Sequence, residues 1–586
     1  MPQEATTPSN RFYAYKQPRW SKLLKASEPL WQEARRRAQG RGRPRILVAT
    51  SLGGHVAMTP VESMLAVALT LRGAQVDILL CDAALPACQL AEWQHFPDFE
   101  DFARDENAIK PLCETCYQPG RKMYEELGLT IQTFGQWLTP EERAEATRLA
   151  AETPLAEIPE FTMEGAGRVG EHAQAGTLRF FAVGELDQEP QGEAILRKYF
   201  KSALLTGFAI RRGLARERYD AAIFHHGIYT PQGIIGEACR AAGVRVVNWV
   251  VAYRKRHLLF THEDTYHRTM IEEPAADWEN LPWSAEREEE LMAYLGSRHT
   301  SANDWIKFHT APLEEVNALR EEFNLDAERP LVLALTNVFW DAQLHFRRNA
   351  FANLLVWALE TIEYFRTRPD LQLVVRIHPA EIKGSVPSRQ FLADEIDRYF
   401  AGVKGGLPEN VRIVGPRHPA STYTLGGMSD ATIIYGTKTG VELTTAGIPV
   451  IVGGEAWIRG KGLTEDAHSR AGYFQLLDRL PYRKRMSSEQ IVRAKKYAFH
   501  FFFRRMIPLP FLEPREGWPP FQLALEKLEE LGPETPYQGL EVICRGILGG
   551  PAHPFIYEPL EPLPPLEKEK PPSFLKGLRR LLGRAG

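Results

Sequence analysis

Two short segments of this chain gather side chains that can do chemistry. In "VVRIHPAE", Arg376 and His378 end a very apolar run and Pro379 forbids its simple continuation. In "ATIIYGTKTGVELTTAGIPVIVGG", a second apolar run meets Thr437, Lys438, Thr439 and Gly440 before one short helix, with Glu442 a turn inside it. Hydroxyls and unblocked backbone N–H groups at a helix start favour a phosphate. An Arg and a His at such a place hold an anionic oxygen by charge-assisted hydrogen bonds. Glu442 could accept from the hydroxyls of a ribose. A structural role fits the same letters, because Thr439 and Glu442 form a T-x-x-E capping box, and Gly447 with Pro449 would stop the helix. The two roles coexist readily, since a helix start has several N–H groups to satisfy.

Upstream, "SLGGHVAMTP" places His55 just after an apolar run and two glycines. A neutral imidazole there suits the general base of a transfer reaction. Asp82, ending the next apolar run, is a second candidate base or nucleophile. "FHHGIY" offers His225 and His226 with Tyr229 nearby, and "VAYRKRHLLF" offers Arg254 and Lys255, a set able to hold an anionic acceptor. Turn histidines and a solvated basic face are their structural alternatives. Cys113 and Cys116 form a C-x-x-C, which with Cys81 and Cys88 could make a structural zinc site. The C-x6-C spacing of the earlier pair is irregular, so the expectation is reduced thiols and no cofactor or metal.

The elements that must position these groups are legible in the pattern. Arg45–Thr50 reads as a buried strand, followed by a helix with Thr59 as N-cap, Pro60 first in the helix, Glu62 as capping-box partner and Gly73 at its end. "AQVDILLCD" then returns as a strand, which completes a βαβ unit and hence a parallel sheet. Tyr219–Val250 repeats strand, helix, strand, with acidic helical stretches such as "TPEERAEATRLAAET" inserted between. A second alternating series, "PLVLALT", "LQLVVRIHP", "NVRIVGP", "ATIIYGT" and "PVIVGG", begins near Arg329. The expected fold class is therefore α/β: two facing Rossmann-like, doubly wound domains. Expected boundaries are a basic N-terminal extension (1–43), an acceptor domain with helical insertions (44–325), a nucleotide-donor domain (326–485), helices packing back across both (486–530) and a Pro-rich tail (531–586). Ala494–Phe511 reads as one late helix.

A length of 586 residues, 44% hydrophobic and 25% charged residues describe a soluble globular chain of more than one domain, and a net charge of −3 gives no reason to expect nucleic acid as partner. No apolar run is long enough to span a membrane, no secretory signal is visible, and the sparse cysteines suit a cytoplasmic protein. The ends are basic: residues 1–45 interleave Trp20, Leu23, Leu24 and Trp31 with lysines and arginines, and the tail closes on "SFLKGLRRLLGRAG". Such ends suit a peripheral contact with an anionic membrane surface.

"RIHPAE" followed by "STYTLGGMSDATIIYGTKTGVELTTAGIPVIVGG" resembles the capsule polysaccharide biosynthesis family, which includes Kdo transferases with two facing Rossmann-like domains, the GT-B glycosyltransferase fold. The resemblance is clearest over Val374–Gly454 and extends more weakly to "HHGIYTPQG" and "LGGH". It implies that His378 contacts a donor phosphate and that Thr437, Thr439 and Glu442 surround a cytidine nucleotide. Lys438 departs from the family, which usually has a small or hydroxylated residue there. No two aspartates are separated by one residue, so the D-x-D of metal-dependent transferases is missing. The expected function is transfer of a sugar from a nucleotide donor, CMP-linked and Kdo-like, to a surface polysaccharide or lipid-linked glycan acceptor. A CDP-glycerol-type glycerophosphotransferase and a non-catalytic nucleotide-binding scaffold are the alternatives.

Overall fold

The structure is a computed structural model and describes residues 18–299, 302–306, 312–384, 386–482, 485–515 and 519–558. The chain divides into two compact units, one of Met1–Phe181, Glu185–Thr269 and Arg505–Tyr557, the other of Ala182–Gly184, Met270–Arg504 and Glu558–Gly586.

The first unit begins with helices α1 (Trp20–Ala26) and α2 (Glu28–Ala38). These belong to its packed body and are not a separate basic extension. Trp20 is fully buried with its indole N–H on the Ser63 hydroxyl (3.0 Å), and buried Trp31 donates to the Leu127 carbonyl (3.1 Å). Strand β1 (Arg45–Ser51) leads to helix α3 (Met58–Leu71), then β2 (Gln75–Leu80), helix α4 (Lys110–Leu127), β3 (Thr130–Thr133), β4 (Ala221–His225), β5 (Arg245–Val251) and β6 (His257–His262). Every residue of α3 is buried: most are apolar, and Thr59, Glu62, Ser63 and Thr70 are hydrogen-bonded within the core.

In the second unit, helix α5 (Ala285–Ser297) precedes strands β7 (Leu331–Leu335), β8 (Gln372–Arg376) and β9 (Val411–Val414). Helix α6 (Thr422–Met428), β10 (Ala431–Ile434), helix α7 (Thr439–Thr445), β11 (Val450–Val452) and β12 (Glu465–Asp466) follow, and helix α8 (Ser488–Phe499) comes last. The strands read as unbroken apolar runs because parallel strands are covered on both faces. The expected single helix at Ala494–Phe511 is instead the end of α8, a π turn (His500–Arg504) and strand β13 (Met506–Pro508). β13 pairs antiparallel with β6 and so belongs to the first unit.

The first sheet has the order β13-β6-β5-β4-β1-β2-β3, parallel from β3 to β5, with β6 antiparallel to β5. The second has the order β12-β11-β10-β7-β8-β9 and is parallel throughout. Each unit therefore carries the doubly wound α/β arrangement expected from the sequence. In each the strand order reverses once, between β1 and β4 and between β7 and β10. Beyond the carboxyl ends of those strands lies the crevice where such sheets bind ligands. The boundary between units falls at Met270 and not at residue 326. The segment after Met270 is tied to the second unit: Lys461 donates to the carbonyls of Ile271 and Glu273, and Arg298 bonds Glu442.

Candidate functional site

In the second unit, β8 delivers Arg376 and His378 to the carboxyl edge of the sheet. Arg376 is almost fully buried and directs its guanidinium at the carbonyls of Gly415 (2.5 Å) and His418 (3.0 Å). Burial lowers its pKa to about 10, and its bonds tie β8 to the loop after β9. It acts as a brace for the edge. His378 is half-buried: its N–H rests on the Thr336 hydroxyl at the end of β7 (3.1 Å), and its Nδ1 accepts the Ala380 N–H (3.0 Å). That bond puts the proton of the neutral ring on Nε2, making Nε2 a donor for an anion. The same turn recurs at His418-Pro419-Ala420, where Ala420 donates to Nδ1 (3.1 Å) and Nε2 meets Glu322 (2.8 Å).

After β10, the Thr437 and Thr439 hydroxyls lie 3.2 Å apart. Gly440 is needed for packing, since a Cβ there would stand 2.6 Å from Ile434 Cδ1 on β10. The T-x-x-E at Thr439 is not a capping box. Lys438 is the N-cap of α7 and makes no side-chain cap, whereas true capping boxes form at Thr133/Gln136, Thr139/Glu142 and Ser487/Gln490. Glu442 is buried and accepts from Lys438 Nζ (3.0 Å), Arg298 Nε (3.0 Å) and the Tyr423 hydroxyl (2.5 Å). Burial pushes its pKa up, but Arg298 first and then Lys438 more than offset this and hold it at about 2. Arg298 also bonds Asp304 (2.5 Å) and the Tyr294 hydroxyl (2.9 Å), and Tyr294 donates to Asp304 (2.9 Å). Glu442 and Lys438 are thus members of one ionic network with Arg298. Arg298 enters it from 144 residues away in sequence.

One residue at this edge had no role in the sequence reading. Glu381, three after His378, is fully buried, and burial raises its pKa to about 8 against a hydrogen bond from the Leu392 backbone. Burial therefore favours the protonated, uncharged form of this carboxyl.

In the first unit, the ends of β1 and β4 bring histidines together. The rings of His55 and His225 lie 5.7 Å apart, those of His225 and His226 5.5 Å, and His226 stacks on Tyr229 at 5.3 Å. His267, which the sequence did not single out, stands 6.1 Å from His226, and the Arg179 guanidinium lies 5.6 Å over the Tyr229 ring. His226 has φ 67°, an uncommon backbone state for a non-glycine residue.

His55 differs from the expected base. Its Nδ1 accepts the Met58 N–H (3.3 Å), which leaves the ring proton on Nε2. Burial, with the charge of Arg179 next, lowers its pKa to about 3. Such a ring donates a hydrogen bond at neutral pH and is a weak proton acceptor. Asp82 is also engaged, its Oδ1 accepting the Gly135 N–H (2.8 Å) at the start of a short helix. Glu62 is no capping partner: α3 begins at Met58, and the Glu62 carboxyl lies buried with the Trp249 indole N–H on it (3.0 Å). Burial raises its pKa to about 7, against hydrogen bonds from Thr50, Trp249 and the His225 N–H. Arg254 and Lys255 sit in the turn between β5 and β6, at the same sheet edge. Arg254 is buried near His257, and the Lys255 carbonyl accepts from His257 Nδ1 (2.6 Å).

Among the described residues no helix is long and apolar enough to cross a membrane, and no group of three His, Cys, Asp or Glu side chains is placed to hold one metal ion. The basic amphipathic stretch at 573–586 lies outside the described residues.

No family model matches the chain, and no curated protein matches it. Solved structures do. A KpsC beta Kdo 2,4 transferase from Thermosulfurimonas dismutans is similar at 14% identity over 47% of this chain and 79% of its own, with a TM-score of 0.29. The calicheamicin glycosyltransferase CalG4 is similar at 12% identity over 78% of this chain and 94% of its own, with a TM-score of 0.21. A UDP-GlcNAc 2-epimerase from Methanocaldococcus jannaschii, solved with UDP-GlcNAc and UDP, is similar at 10% identity over 78% and 97%, with a TM-score of 0.26. All three TM-scores fall below 0.5, and the chemistry proposed below rests on this chain's own residues.

Proposed function

We propose that this chain is a glycosyltransferase that moves a sugar from a nucleotide donor, CMP-linked and Kdo-like, to a surface polysaccharide or lipid-linked glycan acceptor. The single observation that carries this is His378. Its Nδ1 is fixed by the Ala380 N–H, so Nε2 carries a proton at the ligand edge of a doubly wound sheet. A donor so placed stabilises the negative charge that grows on a leaving phosphate without a metal. The Thr437 and Thr439 hydroxyls beside the β10 end offer further donors to the same anion. The paired network of Arg298, Lys438 and Glu442 holds α7, and with it this turn, in place.

The first unit takes the acceptor in this reading. Its histidine cluster at the ends of β1 and β4 supplies the base, and we nominate His226. Backbone strain of the kind seen at φ 67° concentrates at working sites. His55 then donates a hydrogen bond, and Arg254 and Lys255 supply positive charge at the same edge.

Calorimetric titration with CMP, CDP, UDP, GDP and ADP tests the donor assignment. Selective binding of CMP, weakened about tenfold or more in His378→Ala and less in Thr439→Val, supports it. Preference for CDP moves the assignment to a glycerophosphotransferase, and the product, a glycoside or a phosphodiester, then decides. Nucleotide binding without turnover on any glycan acceptor indicates a scaffold. Absence of binding to all five nucleotides refutes the proposal.

A further inference from the structure

Strand β7 is followed directly by Thr336 and Asn337, which face opposite neighbours at the ligand edge of the second sheet. Thr336 is buried, and its hydroxyl accepts the His378 N–H beyond β8 (3.1 Å). Asn337 faces the turn after β10. Its Nδ2 donates to the Val338 carbonyl (3.3 Å), while its Oδ1 lies against Gly436 and has no hydrogen-bond partner among the described residues. Gly436 immediately precedes Thr437, whose hydroxyl is 3.2 Å from that of Thr439. A buried acceptor left unsatisfied is costly, and in a working protein a ligand or a water meets it.

The glycine makes room at that acceptor. A Cβ on Gly436 would stand 3.6 Å from Asn337 Oδ1, 3.6 Å from the Glu455 carbonyl oxygen and 3.9 Å from Asn337 Cγ, all ordinary contacts. The space that this Cβ would fill is therefore faced by two oxygens, one from the end of β7 and one from the loop after β11. Both are neutral acceptors, so they offer nothing to a phosphate and suit O–H groups instead. Asn337 and Gly436 are half-buried, so solvent reaches this place. Glu442, one turn into α7, already receives Lys438, Arg298 and Tyr423.

Two acceptors facing one gap suit a vicinal diol, which presents two O–H donors on adjacent carbons. We propose that Asn337 Oδ1 and the Glu455 carbonyl accept the two hydroxyls of the donor nucleotide's ribose. The assignment rests on the nucleotide reading above. In a nucleoside 5′-phosphate a single methylene joins ribose to phosphate, so a phosphate held at His378 and Thr437 carries its ribose to the adjoining Gly436. Asn337 is then a specificity-determining residue that reads the sugar of the nucleotide and not its base. A site built to bond a hydroxyl rejects the analogue lacking it, because its own acceptor is left unpaired.

The test titrates the full chain by calorimetry with CMP, 2′-deoxy-CMP and 3′-deoxy-CMP. Wild type should bind CMP about fivefold to tenfold more tightly than either deoxy nucleotide. Asn337→Ala should weaken CMP by a similar factor and bind one deoxy nucleotide as well as CMP, since the partner of the missing hydroxyl is gone. Asn337→Asp keeps an oxygen in place and should keep the preference for ribose. Gly436→Ala fills the space without a close contact and should lose the preference in a chain whose circular dichroism is unchanged. Equal binding of all three nucleotides by wild type overturns the proposal and leaves the nucleotide reading standing. A preference that survives both Asn337→Ala and Gly436→Ala does the same. Absence of any nucleotide binding defeats the two together.

Discussion

Three buried carboxyl groups illustrate how one side-chain type is set to opposite ends of its range by its neighbours. Glu442 is ionised because Arg298 and Lys438 face it, and its pKa lies at about 2 against an ordinary 4.5. Its contribution to stability is fully present above about pH 4.5 and is lost as pH falls through 2. Glu442→Gln removes the carboxylate that Lys438 and Arg298 share, Arg298 keeping Asp304, and should cost about 3 kcal/mol, read by urea denaturation at pH 7. Glu62 and Glu381 behave in the reverse sense, raised by burial to about 7 and about 8. Each favours the fold below about pH 4.5, and that stability is lost as pH rises through the folded value. Glu62→Gln and Glu381→Gln should therefore flatten the loss of stability between about pH 4.5 and 8, measured as melting temperature across pH. At the first sheet, His226→Asn should keep the fold, because Asn tolerates φ 67°, while abolishing transfer. Retention of transfer by that variant would remove His226 as the base.

At the scale of elements, close approach of backbones is the sharpest constraint. A Cβ on Gly120 would stand 2.5 Å from Gly53 Cα, whereas a Cβ on Gly440 meets side-chain methyls, Ile434 Cδ1 at 2.6 Å and Ile458 Cγ2 at 3.2 Å. Gly120→Ala should cost about 2–3 kcal/mol and Gly440→Ala about 1 kcal/mol, compared by thermal unfolding. Strands and their connecting helices were legible because apolar runs and turn residues are local signals, and the parallel sheets followed from their alternation. The ligand edges were legible for the same reason: His225 ends a strand, and His378, Thr437 and His55 each come within four residues of one. What escaped was long-range. Nothing near Glu442 in sequence announces Arg298, and a T-x-x-E that caps a helix at Thr139 is spelled like the one that does not at Thr439. The irregular spacing of Cys81 and Cys88 concealed that they line one small cavity with Cys113 and Cys116, a convergence that only the packing of α4 against the β1 turn creates. The late apolar stretch after Ala494 carried no local mark of where helix gives way to strand.

For the molecule as a whole, the first unit is discontinuous, closed by residues that follow the second. β13 covers the edge of β6, Arg505 donates to the Phe555 carbonyl (2.8 Å), and Arg72 donates to the carbonyls of Leu531 (2.6 Å) and Gly532 (2.8 Å). Helix α9 (Gln538–Gly549) packs against β13, where a Cβ on Gly539 would overlap the Pro508 carbonyl. A chain cut after Arg504 should leave the second unit folded and the first prone to aggregation through the bare β6 edge, seen as loss of one of two thermal transitions. During synthesis β6 is complete at His262 but its partner begins only at Met506, 244 residues later. At ordinary elongation rates that is a wait of roughly 10–50 s. An unfinished copy therefore advertises itself: a ribosome that stops early releases a chain with an open sheet edge, which quality-control proteases and chaperones can tell from the completed molecule.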